Sequence, residues 1–480
     1  MNASPDTDHG GLPAWEPADL PDPLPFNLRN ALRTIGPGAI LLAAAIGGGE
    51  WIVGPLMVVN YGAGILWIAT AAIILQSLFN LEGCRYTLAT GEPILTGIMR
   101  LSPGPLTWAI VYGVLAVAQL SVPALGKACA SVLFAAFAGR LPTGQDDLKI
   151  TLIASAIIIG AVVLLLSGKS IERVLERFSW IMVVFIFSFL ILVNFLFVPQ
   201  SVWTANLTGF FTPRALPSGL DVALVCTFAA TAGSGGLGNL VITNWFRDKG
   251  FGMGSRVGHI GGLAEQGAQL KVVGCMFPES SENTSRWRSW WKYAVLDQSL
   301  LWAGGCFLGM LLNVNLAATI VPESANVTPE TAGTFQAQYM AEHAWRGFWA
   351  LMLINGFWIL FSTHLGNTDT LVRTLCDIGW SGVPAVRRWP VSRIYAVTLI
   401  VLTVWGLISI HFGNVVDLFK VLGILASPVM ALAAVQILRV NRRFLPAAAQ
   451  PPLWRQAALV LCTLVYGSIT LIAFWDTFIR

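Results

Sequence analysis

Eleven separate stretches of this chain are apolar over the length of a membrane crossing. They run at about 35–59, 64–84, 106–138, 150–167, 178–198, 219–245, 292–321, 345–372, 393–412, 415–438 and 454–476. A transmembrane helix needs about 20 mainly apolar residues, because the hydrocarbon layer offers a backbone no hydrogen-bond partner. Mean hydropathy is +0.68. Charged residues make up 11% of the chain, against about 25% in a soluble domain. The pattern predicts an all-α membrane protein with 11 transmembrane helices.

Charge orients these spans. With the N-terminus in the cytoplasm, 22 of the 29 Lys and Arg residues fall on the inner side and five outside; Lys127 and Lys420 lie within spans. Cytoplasmic loops carry such an excess. A multi-pass protein of the bacterial inner membrane, with a cytoplasmic N-terminus, is therefore expected. Residues 1–29 are Pro-rich and acidic (Asp6, Asp8, Glu16, Asp19, Asp22) and read as a disordered tail without a cleavable signal. Residues 30–480 read as a single transmembrane domain. The seven cysteines show no zinc spacing and read as buried thiols. The connection from Arg247 to Trp291 ends in interleaved basic and aromatic residues, Ser285 to Tyr293, which suit an anchor in the lipid interface rather than a nucleic-acid surface. The loop after Pro322 carries Glu323, Glu330 and Glu342; it either draws cations to the outer mouth or is simply solvated.

Two spans are interrupted. In the first, Ala45-Ile46-Gly47-Gly48-Gly49-Glu50 places three glycines, each costing about 1 kcal/mol against alanine in a helix, before a carboxylate. In the sixth, Thr231-Ala232-Gly233-Ser234-Gly235-Gly236 runs on to Asn239. The literal GxGxxG at Gly233–Gly238 lacks the strand and the acidic partner of a dinucleotide site. Broken helices at bilayer depth are tolerated only where they face protein or a water-filled cavity, and their freed N–H and C=O groups meet ions of either sign. Breaks opening two blocks of five spans predict a five-plus-five inverted-repeat transporter fold, with repeats at about 30–200 and 215–440 and an extra helix at 453–476.

Glu50 is the one acid that maps to the centre of a span, where a charge costs at least about 3 kcal/mol. It is either an ion ligand or half of a structural pair. The candidate solute-binding residues are Glu50, Gly47, Gly48, Gly49, Ala45, Thr231, Ser234, Gly235, Gly236 and Asn239. Lys127, a snorkelling or a fixed internal cation, and His364, Asn367 and Asp369 of the polar eighth span are candidates for coupling or for lining the pathway; helix packing is the simpler reading of that span. No nucleophile–base pair, phosphate loop or cofactor motif is present, so no enzyme activity or cofactor is expected.

These residues resemble the Nramp family of divalent-metal transporters. The likeness rests on Ile35-Gly36-Pro37-Gly38, the break, Gly62 and Leu66-Trp67; on Leu75-Gln76-Ser77-Leu78 and Ala89-Thr90-Gly91; and on Ser362-Thr363 with Gly366. It implies the five-plus-five fold. The departures are specific. Gly47-Gly48-Gly49-Glu50 stands where the family has Asp-Pro-Gly-Asn. Gly236-Leu237-Gly238 stands where it has Met-Pro-His. The acids of the third span are missing, and Lys127 lies in their region. Without sulfur or imidazole, an oxygen-only site favours hard ions such as Mg²⁺ over Mn²⁺ or Fe²⁺. The resemblance, so modified, implies a secondary transporter for a divalent cation with weak or no proton coupling. An organic-solute permease, for an amino acid or amine, is the alternative on the same fold.

Overall fold

The computed structural model describes residues 9–166, 171–217, 219–260, 270–322, 327 and 331–478. Lys169, Gly261, Gly262, Glu323 and Glu330 lie outside them. Among the described residues, ten helical segments are long and apolar enough to cross a membrane. The first of them, Pro37–Tyr61, is not continuous. It comprises α1 (Pro37–Ala45), a π turn (Gly48–Val53) and α2 (Gly54–Tyr61). The segment expected as the sixth of eleven spans is instead two short helices, α8 (Val222–Thr231) and α9 (Leu237–Asp248), neither of crossing length. Between them Gly235 and Gly236 take φ of +65° and +70°, the left-handed region that glycine enters without a Cβ penalty.

The remaining crossings follow the sequence closely. They are α3 (Trp67–Thr90), α6 (Asp147–Leu166), α7 (Ile171–Phe197), α12 (Phe348–Gly382), α13 (Val391–Ser409), α14 (Val415–Phe444) and α15 (Leu453–Phe478). Two spans differ from expectation. The third is broken into α4 (Pro105–Ala118) and α5 (Ser121–Ala138), with Leu120 at φ +52° between them. A non-glycine residue there costs about 1–3 kcal/mol and marks a place the surroundings over-determine. The seventh starts earlier than its apolar run. The side chain of Ser280 caps α10 (Ser281–Val295), which passes through a π turn into α11 (Gly304–Ile320).

Within residues 9–26 several groups contact distant parts of the chain, at odds with a disordered tail over 1–29; residues 1–8 lie outside the described residues. Strand β1 (Glu16–Pro17) pairs in parallel with β2 (Cys275–Met276). Leu20 is fully buried, and Trp15 lies under the Arg100 guanidinium. The acids that looked like a disorder signal have partners far along the chain: Glu16 with Lys271, Asp19 with Asn283, and Asp22 with Arg286. Nearby, Glu92 ties the end of α3 to Arg100, Tyr86 and the backbone of Gly274. Burial alone would push the Glu92 carboxyl up, but the Arg100 guanidinium outweighs this and holds it below the usual carboxylate range.

Candidate solute site at the paired helix breaks

The two breaks touch. A Cβ on Gly49 would overlap the carbonyl of Thr231, the last residue of α8, so only glycine allows this approach. The π turn is held from the far side as well. Trp51 donates its indole N–H to Gly333 O (2.9 Å), and Gln336 donates to Trp51 O (2.8 Å). On α12, Asn367 donates to Ala44 O (3.1 Å), and Thr363 lies against Ile46 O (2.8 Å). Exposed carbonyls at the end of α1 thus meet side chains of α12 across the break.

Between the breaks lies a cavity of about 30 Å³. Of the expected site residues it is lined by Ala45, Gly48, Gly49, Thr231, Ser234 and Asn367; Thr363, Leu125, Phe419 and Leu422 complete the wall with Ala44 and Gly233. Ser234 is oriented by two neighbours. Its N–H donates to Gln76 Oε1 (3.0 Å), and its hydroxyl accepts from Trp302 Nε1 (3.0 Å). Gln76 also donates to Ala230 O (3.2 Å), so this one side chain ties the end of α8 to the break itself. The Phe419 ring fills the space that a Cβ on Gly48 would need.

The other expected residues lie elsewhere. Glu50 is fully buried but does not line the cavity. Its Oε2 accepts from Gly47 N (3.1 Å), its Cγ packs toward Gly309 of α11, and its Oε1 has no hydrogen-bond partner. Among the described residues no basic side chain pairs with it. Gly47 packs on Thr363, and Gly236 on Gln119 and Ala426; Gly235 is half-buried outside the wall. Asn239 donates to Asn80 (2.9 Å), opening a chain through Gln298 and Asp297 to the backbone N–H of Gly36. Lys127 runs buried to the membrane edge, where it meets Asp147 (2.8 Å) and Gly413 O (2.9 Å), which favours the snorkelling reading. His364 of α12 is fully buried, with neither ring nitrogen partnered.

Asp369 belongs to a closed network on the side of the basic loops. Arg373 pairs with Asp369 (2.5 Å) and with Asp248, and Arg247 with Asp377 (2.9 Å) and Asp248 (2.8 Å). Trp245 and Tyr395 also donate to Asp369. These charges tie the end of α9 to α12 and are buried. Asp297 accepts from Gly36 N, and a Lys249–Glu176 pair abuts the same glycine, so the start of α1 is clamped too. Both clamps lie on this same side of the breaks.

Sequence reasoning missed Gln76, Thr363 and Phe419 as site residues. A glutamine in the middle of an apolar span is a signal for the first, and the polar run of α12 for the second. Phe419 gave none.

No family model matches the chain, and no curated protein does. Solved structures match its fold over nearly the whole length. A mutant of the manganese transporter of Eremococcus coleocola superposes with a TM-score of 0.67 at 14% identity, over 96% of this chain and 89% of that one. MhsT in complex with L-phenylalanine gives 0.55 at 15%, over 92% and 98%. Mhp1, a nucleobase-cation-symport-1 family transporter with a bound hydantoin, gives 0.50 at 14%, over 92% and 89%. The chain is thus an integral, multi-pass membrane protein that shares its fold with these transporter structures.

Proposed function

We propose that the protein is a secondary transporter working by alternating access, and that its solute is a hard divalent cation, Mg²⁺ ahead of Mn²⁺ or Fe²⁺. The observation that carries this is the cavity itself. At about 30 Å³ it has room for roughly one water-sized group. Its polar atoms are hydroxyl, amide and carbonyl oxygens, without sulfur or imidazole, which suits hard ions that keep some of their waters. Glu50 supplies the charge: its carboxylate is buried and half-satisfied one residue beyond the cavity wall, on a π turn. Such turns occur often at functional sites. With no acid in α4 or α5, weak or no proton coupling follows. The inner membrane, with the basic side in the cytoplasm, is the setting this reading adopts.

Uptake into proteoliposomes carrying an internal pH dye tests the proposal. Mg²⁺ is expected to accumulate ahead of Mn²⁺ without acidification, and Glu50→Gln to reduce uptake at least about tenfold. Strong Mn²⁺ uptake with matching acidification, or uptake of amino acids alone, would overturn it.

A further inference from the structure

Three arginines stand where α12 ends and α13 begins, with no acid among them. Arg387, Arg388 and Arg393 lie in a stretch, 378–416, that contains no Asp or Glu. The nearest acid before it, Asp377, is buried against Arg247. Arg387 is turned to the backbone: it donates to Trp380 O (2.8 Å) and Ser381 O (2.9 Å) beside the 3₁₀ turn Pro384–Arg388. Arg388 and Arg393 are exposed, and the Arg393 guanidinium lies over the Trp389 ring, 5.2 Å from its centroid. Helix α13 starts beside them with Pro390 as its N-cap and no side-chain cap, so the positive end of its dipole adds to theirs.

A groove leads from these charges into the apolar layer. Its mouth is lined by Arg388, Trp389, Ala385 and Val386, and it holds about 440 Å³. A second stretch of about 430 Å³ continues it, sharing Val397 and Thr398 and reaching Trp405. Ile394, Val397, Thr398, Val401, Leu402 and Trp405 recur at spacings of three and four, so they form one face of α13. Leu375 of α12 and Val117 of α4 stand across from that face. At about 1.5 Å per residue, the helix rises about 16 Å from Ile394 to Trp405. One leaflet of a hydrocarbon layer about 30 Å thick is about 15 Å deep. The groove is as long as one leaflet is deep, and its charge sits at one end.

We propose that this groove binds an anionic phospholipid, its phosphate on Arg388 and Arg393 and one acyl chain along α13. Basic pockets between spanning helices suit such headgroups. The guanidinium fork matches phosphate oxygens, and a tryptophan beside it belongs at headgroup level. The lipid comes from the leaflet on the side of the basic loops, where the mouth of the groove lies. Its chain braces α13 against α12, beside contacts that already join them: Cys376 Sγ with Thr398 Oγ1 (3.9 Å) and Tyr395 with Asp369 (2.6 Å). Helix α12 also carries Thr363 and Asn367 of the central cavity. Binding of the lipid does not depend on which solute that cavity takes.

Thermal unfolding of the purified full-length protein in detergent, with phosphatidylglycerol or phosphatidylcholine of the same acyl chains added, tests the site. Phosphatidylglycerol should raise the melting temperature further than phosphatidylcholine, as a ligand of the folded state does. Joint Arg388→Gln and Arg393→Gln substitution should raise the half-saturating phosphatidylglycerol concentration about tenfold or more. Val397→Phe, which fills the groove and leaves both arginines, should raise it as well. Joint Arg29→Gln and Arg33→Gln substitution, which removes two exposed charges outside the groove, should leave it unchanged. Equal shifts with the two lipids would overturn the site, as would an equal loss of response on removing Arg29 and Arg33. An undiminished response in Val397→Phe, or the same shift from glycerol phosphate, which has no chain, would also overturn it. Should the Arg388 and Arg393 variant fail to fold, Val397→Phe and the three additives on the wild type decide.

Discussion

Gly49→Val is expected to abolish solute uptake while the protein still folds and inserts. Any Cβ at this position collides with the Thr231 carbonyl, which is backbone at the end of α8 and has no rotamer to escape into. The first and second breaks must then separate. Overpacking of this kind costs about 1–3 kcal/mol, which a large helical protein survives. The cavity does not survive it, since its walls come from both breaks and a misplacement of about 1 Å can cost on the order of 100-fold in a preorganised site. Proteoliposome uptake should fall to background, with a monodisperse protein and a modestly lowered melting temperature. Gly467→Ala, where a Cβ meets nothing within 4 Å, is the matched control and should transport normally.

Arg373→Met should have the largest effect on stability. Arg373 is fully buried between Asp369 and Asp248, two carboxylates on different helices. Removing it leaves both acids without that cation in a low-dielectric interior. Breaking a buried pair in this way costs about 3–5 kcal/mol, more than the pair itself contributes, because the abandoned charge cannot be rehydrated cheaply. Since the network joins α9 to α12, the loss also loosens the hold between these two helices. A large drop in melting temperature in detergent, partly recovered in Arg373→Lys, is the expected result. An unchanged melting temperature would mean that the network does not hold the two helices together.

The broad architecture was legible because the bilayer imposes it: apolar length, basic loops and two glycine-rich interruptions at matching places give the spans and the breaks. Within the breaks, glycine spacing was also informative. Gly48, Gly49, Thr231 and Ser234 do line one cavity. What failed to show was anything depending on a partner distant in sequence. The acids of residues 16–22 looked like a solvated tail because Lys271 and Arg286 lie more than 250 residues away. Asp369 looked like a pathway group because its partners, Trp245 and Tyr395, come from other helices. Glu50 was rightly marked as costly and central, yet the direction in which its carboxylate turns depends on the π turn, which no local pattern announces. The interruption at Leu120 was overlooked although Pro123 removes a backbone donor just beyond it.

Solute is expected to pass through the gap between the two breaks. Ser234 lines that gap and is partly accessible, whereas all seven native cysteines are buried. The decisive measurement is the labelling of Ser234→Cys in proteoliposomes by a membrane-impermeant thiol reagent, applied to one face at a time, with and without Mg²⁺. The expected result is faster labelling from the face opposite the Arg373 network than from the network face, slowed by Mg²⁺, with Arg373→Met raising the rate from the network face. Labelling at the same rate from both faces in the otherwise unaltered protein, indifferent to Mg²⁺, would contradict it.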